Sequence, residues 1–396
     1  MEAQLSRKIT NISLLLMVLV VFIHGYNENL QFGKDVQYVP PAWLCFLERF
    51  FSDGICRIAV PLFFAISGYL ACESIGRTLS ISSYSKLLKK RVFSLMIPYL
   101  LVSAAGILLV IGLQLFPFSR PFFNNYSLEK SGLHDWGRVW LLDPVPYQLW
   151  FIRFLMNYFL FFPVLFFVLR YLREFALLVL FAFWAYTPLY HIFGHFKIAF
   201  SGITFLFCLA GNLDFAPYIP TQKNELEGLF FFALGIYASL HSVPLSLKKG
   251  GGILLMAGVL WLCWVAYRTG ISLDMPPRHN EVHYHLIGFT LMGVILFWYL
   301  FDLFSGSYQK IFSQAAPYTF GIFLFHEPLL TILKKGIVKM AGPSDISLLI
   351  SYLFTPVVSF AFALLFSRFI AVKIPGVYSL FTGNRQPDQP SRTKSD

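Results

Sequence analysis

The sequence predicts an all-α integral membrane protein, a polytopic bundle of about ten transmembrane helices. Three observations carry that prediction. Of 396 residues, 57% are hydrophobic and only 13% are charged; a soluble domain is nearer half apolar and a quarter charged. The mean hydropathy is +0.65. Phe occurs 45 times, with 8 Trp and 20 Tyr beside it, a usage that suits lipid-facing Phe and interfacial Trp and Tyr. Soluble multi-domain classes are thereby excluded. The formal charge of +11 reads as basic cytosolic loops that fix orientation rather than as a nucleic-acid surface. The cysteines (Cys45, Cys56, Cys72, Cys208, Cys263) show no C-x-x-C pair. They read as small apolar fillers, with a Cys45–Cys56 bridge outside the membrane as the alternative.

A membrane-crossing helix needs about 20 apolar residues. Candidate spans are residues 9–26, 55–75, 92–116, 147–169, 174–191, 228–242, 251–267, 284–303, 317–336 and 347–371. Residues 199–215 are apolar but short and broken by Gly202, Gly211, Asn212 and Asp214, so they read as a re-entrant piece, with an eleventh span as the alternative. Ten spans with the N-terminus inside put Arg7, Lys8, Arg77, Lys86, Lys89–Arg91, Arg170, Arg173, Lys248, Lys249 and Lys310 in inner loops, as the positive-inside rule requires. Lys334, Lys335 and Lys339 break the rule and fall outside. Arg7 and Lys8 ahead of an apolar run resemble a signal peptide, but Phe22-Ile-His-Gly-Tyr-Asn27 offers no small-residue cleavage site, so the run reads as a retained anchor. The membrane domain covers 1–374, and 375–396 reads as a polar, disordered cytosolic tail. There is no internal repeat to suggest an inverted-repeat transporter.

Ionisable groups at membrane depth point to chemistry. His24 lies about 24 Å along the first helix from Arg7 and Lys8, in the outer half of the membrane. It can act as a general base near neutral pH, or be an interfacial histidine bonded to a neighbouring helix. In the second span, helical spacing puts Arg57, Pro61, Phe64 and Gly68 on one face. Pro61 would kink that helix, and Gly68 would permit close packing. Arg57 either faces a wet cavity or snorkels to the outer interface and pairs with Asp53.

Lys86 to Arg91 forms a basic cluster that either holds phosphates or sets orientation. Trp150, Arg153 and Asn157 share a face of the fourth span. His326 and Glu327 lie midway along the ninth, followed by Pro328, and mark a polar cavity or a buried hydrogen-bonded pair. His191, His195, His279, His283 and His285 are scattered in or near outer loops without metal-ligand spacing. No P-loop, nucleophile elbow or dinucleotide fingerprint is present. An enzyme here would work with intramembrane His, Arg and polar groups.

In order along the chain, the stretches Leu19-Val-Val-Phe-Ile-His24, Arg57-Ile-Ala-Val-Pro61-Leu-Phe-Phe-Ala-Ile-Ser67-Gly68-Tyr-Leu, Lys90-Arg91 running on to Ile97-Pro98-Tyr99, Leu149-Trp150-Phe-Ile, Leu229-Phe-Phe-Phe-Ala-Leu-Gly235 and Phe320-Gly-Ile-Phe-Leu-Phe-His326 resemble acyltransferase family 3. These are ten-helix bacterial membrane acyltransferases that modify surface glycans. The resemblance implies an acyl group, usually acetyl from cytosolic acetyl-CoA, moved to a hydroxyl of an extracytoplasmic glycan or glycolipid. It implies the cytoplasmic (inner) membrane of a bacterium, both termini cytosolic, no tightly bound cofactor and no metal. Partners would be acyl-CoA, the lipid bilayer, a glycan or lipid-linked sugar, and other surface-polysaccharide biosynthesis proteins.

By the same resemblance, His24 is the catalytic base or transient acyl carrier, and Arg57 orients polar groups. Arg91, with Lys90, meets the CoA phosphates, and Trp150, Arg153, Asn157, His326 and Glu327 line the cavity. Two positions depart from the family pattern. Ser13 stands where the first helix often has a basic residue, with Arg7 or Lys8 as substitutes, and Ser94 stands where the third span carries the second of two basic residues. The competing class is a glycan or lipid transporter or flippase.

Overall fold

A computed structural model describes residues 3–27, 40–117, 119–120, 133–142, 144–185, 220–247, 250–274, 281–303, 312 and 314–385. The segment 199–215, His191, His195, His279, Cys208, Lys248, Lys249 and the tail from 386 lie outside the described residues. Within them every regular element is a helix. The helices are α1 (Ala3–Gly25), α2 (Ala42–Glu48), α3 (Ala59–Ser74), α4 (Ile81–Arg91), α5 (Ile97–Leu115), α6 (Leu133–Leu141) and α7 (Trp150–Ala185). They continue with α8 (Pro220–Leu240), α9 (Gly251–Asp274), α10 (Glu281–Leu300), α11 (Thr319–Phe325), α12 (Leu329–Ala341), α13 (Asp345–Lys373) and α14 (Pro375–Thr382). Among the described residues, five helical stretches are long and apolar enough to cross a membrane by themselves: Ala3–Gly25, Ala42–Ser74, Ile81–Leu115, Gly251–Leu273 and Asp345–Lys373. The protein is a multi-pass helical membrane protein.

Contacts divide the chain into two compact units. The first comprises residues 1–9, 53–92 and 151–305; the second comprises 10–52, 93–150 and 306–396.

The first unit is built around α3 against α8. A Cβ at Gly68 would collide with the carbonyl of Phe232, and one at Gly235 with the carbonyl of Ala65. Each glycine thus admits the other helix's backbone, and Gly68 packs as its sequence context predicts. Phe64, Phe151, Tyr158, Phe159 and Phe232 surround this seam, edge to face in the Phe64–Tyr158 and Phe159–Phe232 pairs and tilted in the Phe64–Phe151 and Tyr158–Phe232 pairs. α7 is broken at Arg173, whose φ of 48° is non-helical. Before the break, Phe159 meets Phe232 and Leu169 meets His241. After it, Glu174 meets Tyr237 and Trp184 meets Phe230. The chain therefore runs along α8 and then back, which separates the fourth and fifth expected spans.

The second span differs from its expectation. Arg49–Gly54 is a π-turn and Ile55–Ile58 a 3-10 turn, and α3 begins only at Ala59. Pro61 lies in the first turn of α3, directly after these changes of winding within the helical stretch Ala42–Ser74. Arg57 consequently precedes α3.

In the second unit α13 packs against α2, α11, α12 and α14, and α14 against α5. Ser344 caps α13 through a reciprocal pair with Ser347. Residues 375–382, expected to begin a disordered tail, are the helix α14, and the described chain continues to Arg385. Tyr378 is buried there, and burial pushes its phenol up to about 12. Gly383, at φ 66°, turns against Phe93 and Ser94 where a Cβ would not fit. Arg385 then donates from Nη1 to the Ser94 carbonyl at 2.7 Å and covers the Phe320 ring at 3.8 Å. Tyr378, set against Tyr318, Phe381, set against Phe325, and buried Thr382 explain the docking; the polarity of the tail begins after them.

Candidate active site

The ninth expected span is not one helix. A residue before proline is driven out of the α region, and proline has no N–H to donate. Accordingly α11 ends at Phe325, α12 starts at Leu329, and His326-Glu327-Pro328 forms the joint. The joint delivers His326 against His24 in the last turn of α1, with ring centroids 5.4 Å apart. His326 is fully buried.

Its Nδ1 lies 3.0 Å from the Ile322 carbonyl. A carbonyl only accepts, so Nδ1 carries the proton and the neutral ring presents a lone pair at Nε2. That Nε2 is buried without a hydrogen-bond partner. Glu327 turns the other way. It accepts from the Thr331 hydroxyl at 3.1 Å and the Thr331 backbone N–H at 3.4 Å, in the first turn of α12. His326 and Glu327 are thus not the buried pair that their adjacency suggested.

Lys334, two turns along α12 from Glu327, supplies what the sequence did not show. It is 7% exposed. Its ammonium donates to the carbonyls of His24 at 3.1 Å and Tyr26 at 2.6 Å. A cation on the orphan carbonyls at a helix C-terminus is stabilising, and here it fixes the turn that carries the histidine. Glu48 and Glu327 are its electrostatic partners.

Beside it, Glu48 accepts from the Asn27 backbone N–H at 2.9 Å and from Asn27 Nδ2 at 2.8 Å. Asn27 Nδ2 also donates to the Leu348 carbonyl at 2.9 Å. Ser52 bonds both the Phe22 carbonyl and Tyr352. Gly25 lets α1 approach Pro356, which would lie 2.7 Å from an added Cβ. The end of α1 is therefore held on three sides. Of these groups, only Lys334 had left a signal in the sequence, as a lysine on the wrong side of the charge rule.

The other expected site residues are placed as follows. Arg57 belongs to the first unit and pairs with Asp53 at 3.0 Å. Arg91, in the same unit, lays its guanidinium over the Phe159 ring at 4.6 Å with Nε buried and unpartnered; Lys90 is exposed. Trp150 opens α7, half-buried. Arg153 covers Phe154 at 5.2 Å. One turn on, Asn157 is fully buried with neither amide atom hydrogen-bonded.

In the second unit Gln148 is in the same condition, unpartnered at both atoms, and sequence reading missed it. Two buried orphan amides mark polar room in otherwise apolar packing. Lys8 is not available to replace a basic residue at Ser13: it pairs with Asp302 at 2.8 Å, donates to the Leu245 carbonyl and stacks on Trp298. Arg7 is exposed. Cys45 and Cys56 are not joined by a disulfide.

A polytopic helical membrane protein with two apposed histidines, one of them fully buried, has the parts of a membrane enzyme. The class follows from comparison: the family model described as an acyltransferase domain matches residues 11–372. The chain belongs to acyltransferase family 3, and the transporter reading is set aside. A relative is the succinoglycan biosynthesis protein ExoH of Rhizobium meliloti (strain 1021), 26% identical over 97% of this chain and 94% of that protein. No solved structure matches the chain.

Proposed function

We propose that the protein moves an acyl group, acetyl from cytosolic acetyl-CoA, onto a hydroxyl of an extracytoplasmic glycan or lipid-linked sugar, in a bacterial cytoplasmic membrane with both termini in the cytosol. The observation that carries the reading is the His24–His326 pair. The family supplies the reaction class, and the name of the relative, a polysaccharide biosynthesis protein, supports the acceptor class.

In this reading His24 takes the proton of the acceptor hydroxyl as that oxygen attacks the thioester carbonyl carbon. The C–S bond then breaks, and the imidazolium returns the proton to the departing CoA thiolate. The Nε2 lone pair of His326 holds a hydrogen bond from His24 or from the hydroxyl, keeping the base oriented. Arg91 and Lys90 receive the CoA phosphates. Asn157 gives its unpartnered amide to bound substrate.

The test is a mass-spectrometric comparison of surface glycans with and without the gene, alongside transfer of labelled acetyl from acetyl-CoA in membrane vesicles. An added acetyl on a glycan that depends on the gene is the expected result. Glycans of identical mass in the two strains would sink the proposal.

A further inference from the structure

Arg268 in α9 is a residue that no part of the acyl-transfer reading uses. It is 5% exposed. Its Nη2 donates to the backbone carbonyl of Asp53 at 3.1 Å, and its guanidinium covers the Phe289 ring at 5.3 Å. Its Nε is buried with no acceptor, and among the described residues no carboxylate lies within ion-pair distance of it. The carboxylate nearest in the chain of contacts, that of Asp53, is bonded to Arg57 at 3.0 Å. Two guanidiniums from different helical segments therefore meet at one aspartate, one using its side chain and the other its carbonyl. A buried guanidinium without a carboxylate is costly, whereas a guanidinium fork is well suited to phosphate or carboxylate oxygens. Asp53 and Arg57 are about half and a third exposed, so the corner is open to a ligand.

We propose that Arg57 and Arg268, fastened at Asp53, form a binding site for an anionic group, a phosphate or a carboxylate, carried by the acceptor. Naming the acceptor as its carrier rests on the orientation and activity proposed above; the anion site itself does not. The site would favour acidic sugars or phosphate-linked sugars over neutral ones. Arg268 would set that preference, and Asp53 would limit its strength by sharing Arg57.

The test uses the full-length protein in phosphatidylcholine nanodiscs and reads thermal unfolding with added inorganic phosphate, glucuronate or glucose at matched ionic strength. Phosphate or glucuronate should raise the midpoint by about 2–5 °C while glucose does not. Arg268→Gln should remove the shift and Arg268→Lys retain part of it. Asp53→Asn should tighten anion binding by about three- to tenfold by removing the competing carboxylate, a gain that misfolding cannot mimic. If phosphatidylglycerol nanodiscs raise the wild-type midpoint and abolish the added anion's effect, the site takes anions and a lipid phosphate reaches it. No shift with either anion, equal shifts in wild type and Arg268→Gln, or weaker binding in Asp53→Asn would each overturn the proposal.

Discussion

The two units solve the problem of burial in opposite ways. The first packs α3 against α8 backbone to backbone through Gly68 and Gly235 and fills the seam with aromatic rings. Its arginines Arg91, Arg153 and Arg268 lie over phenyl rings. The second gathers a polar set, His24, His326, Lys334, Glu48, Asn27, Ser52 and Tyr352, around the end of one helix. Shape complementarity suffices for a scaffold. A polar network is kept where groups must be oriented, and every member is then sensitive to loss.

Four measurements would break or sharpen that contrast. The largest effect belongs to His24→Ala, which should lower acetyl transfer by about 10³-fold or more with normal expression; unchanged transfer would remove His24 from the chemistry. Lys334→Met comes next. It leaves two helix-end carbonyls unpaired, costing on the order of 2–4 kcal/mol, and should reduce kcat by about 10²-fold with KM little changed. Lys334→Arg should recover part of the rate. A loss of folded protein without a change in specific activity would make Lys334 merely a staple.

Gly235→Ala tests the other unit. Overpacking at Ala65 should cost about 1–3 kcal/mol and reduce folded yield by size-exclusion fluorescence, while activity per folded molecule stays within about threefold. A specific loss of turnover would mean that the aromatic seam takes part in the reaction. Arg91→Ala, the smallest, should raise KM for acetyl-CoA by about tenfold with little change in kcat; an effect on kcat alone would argue against a phosphate contact.

Much of the architecture was legible because a membrane protein writes its class in composition. The positions of His24, His326 and Gly68 were legible because each is an exception in an apolar run. The local breaks were not. Pro61 reads as a kink, but not as the proline in the first turn of a helix that follows a π-turn and a 3-10 turn. His326 and Glu327 read as marking a polar cavity or as a buried pair, and only the split at Pro328 shows that they have different partners. Lys334 and Glu48 could not be joined to His24 from sequence, because partners more than 20 and 300 residues apart leave no periodic signal. The helix at 375–382 was hidden by the polar stretch that follows it.

The bond from Lys334 to His24 spans 310 positions of chain. At ribosomal speed, roughly 15–60 s separate synthesis of the two residues. The first helix must therefore wait in the bilayer, its terminal carbonyls uncovered by Lys334, until α12 arrives. A chain that stops before residue 334 leaves those carbonyls without the ammonium that covers them in the finished protein.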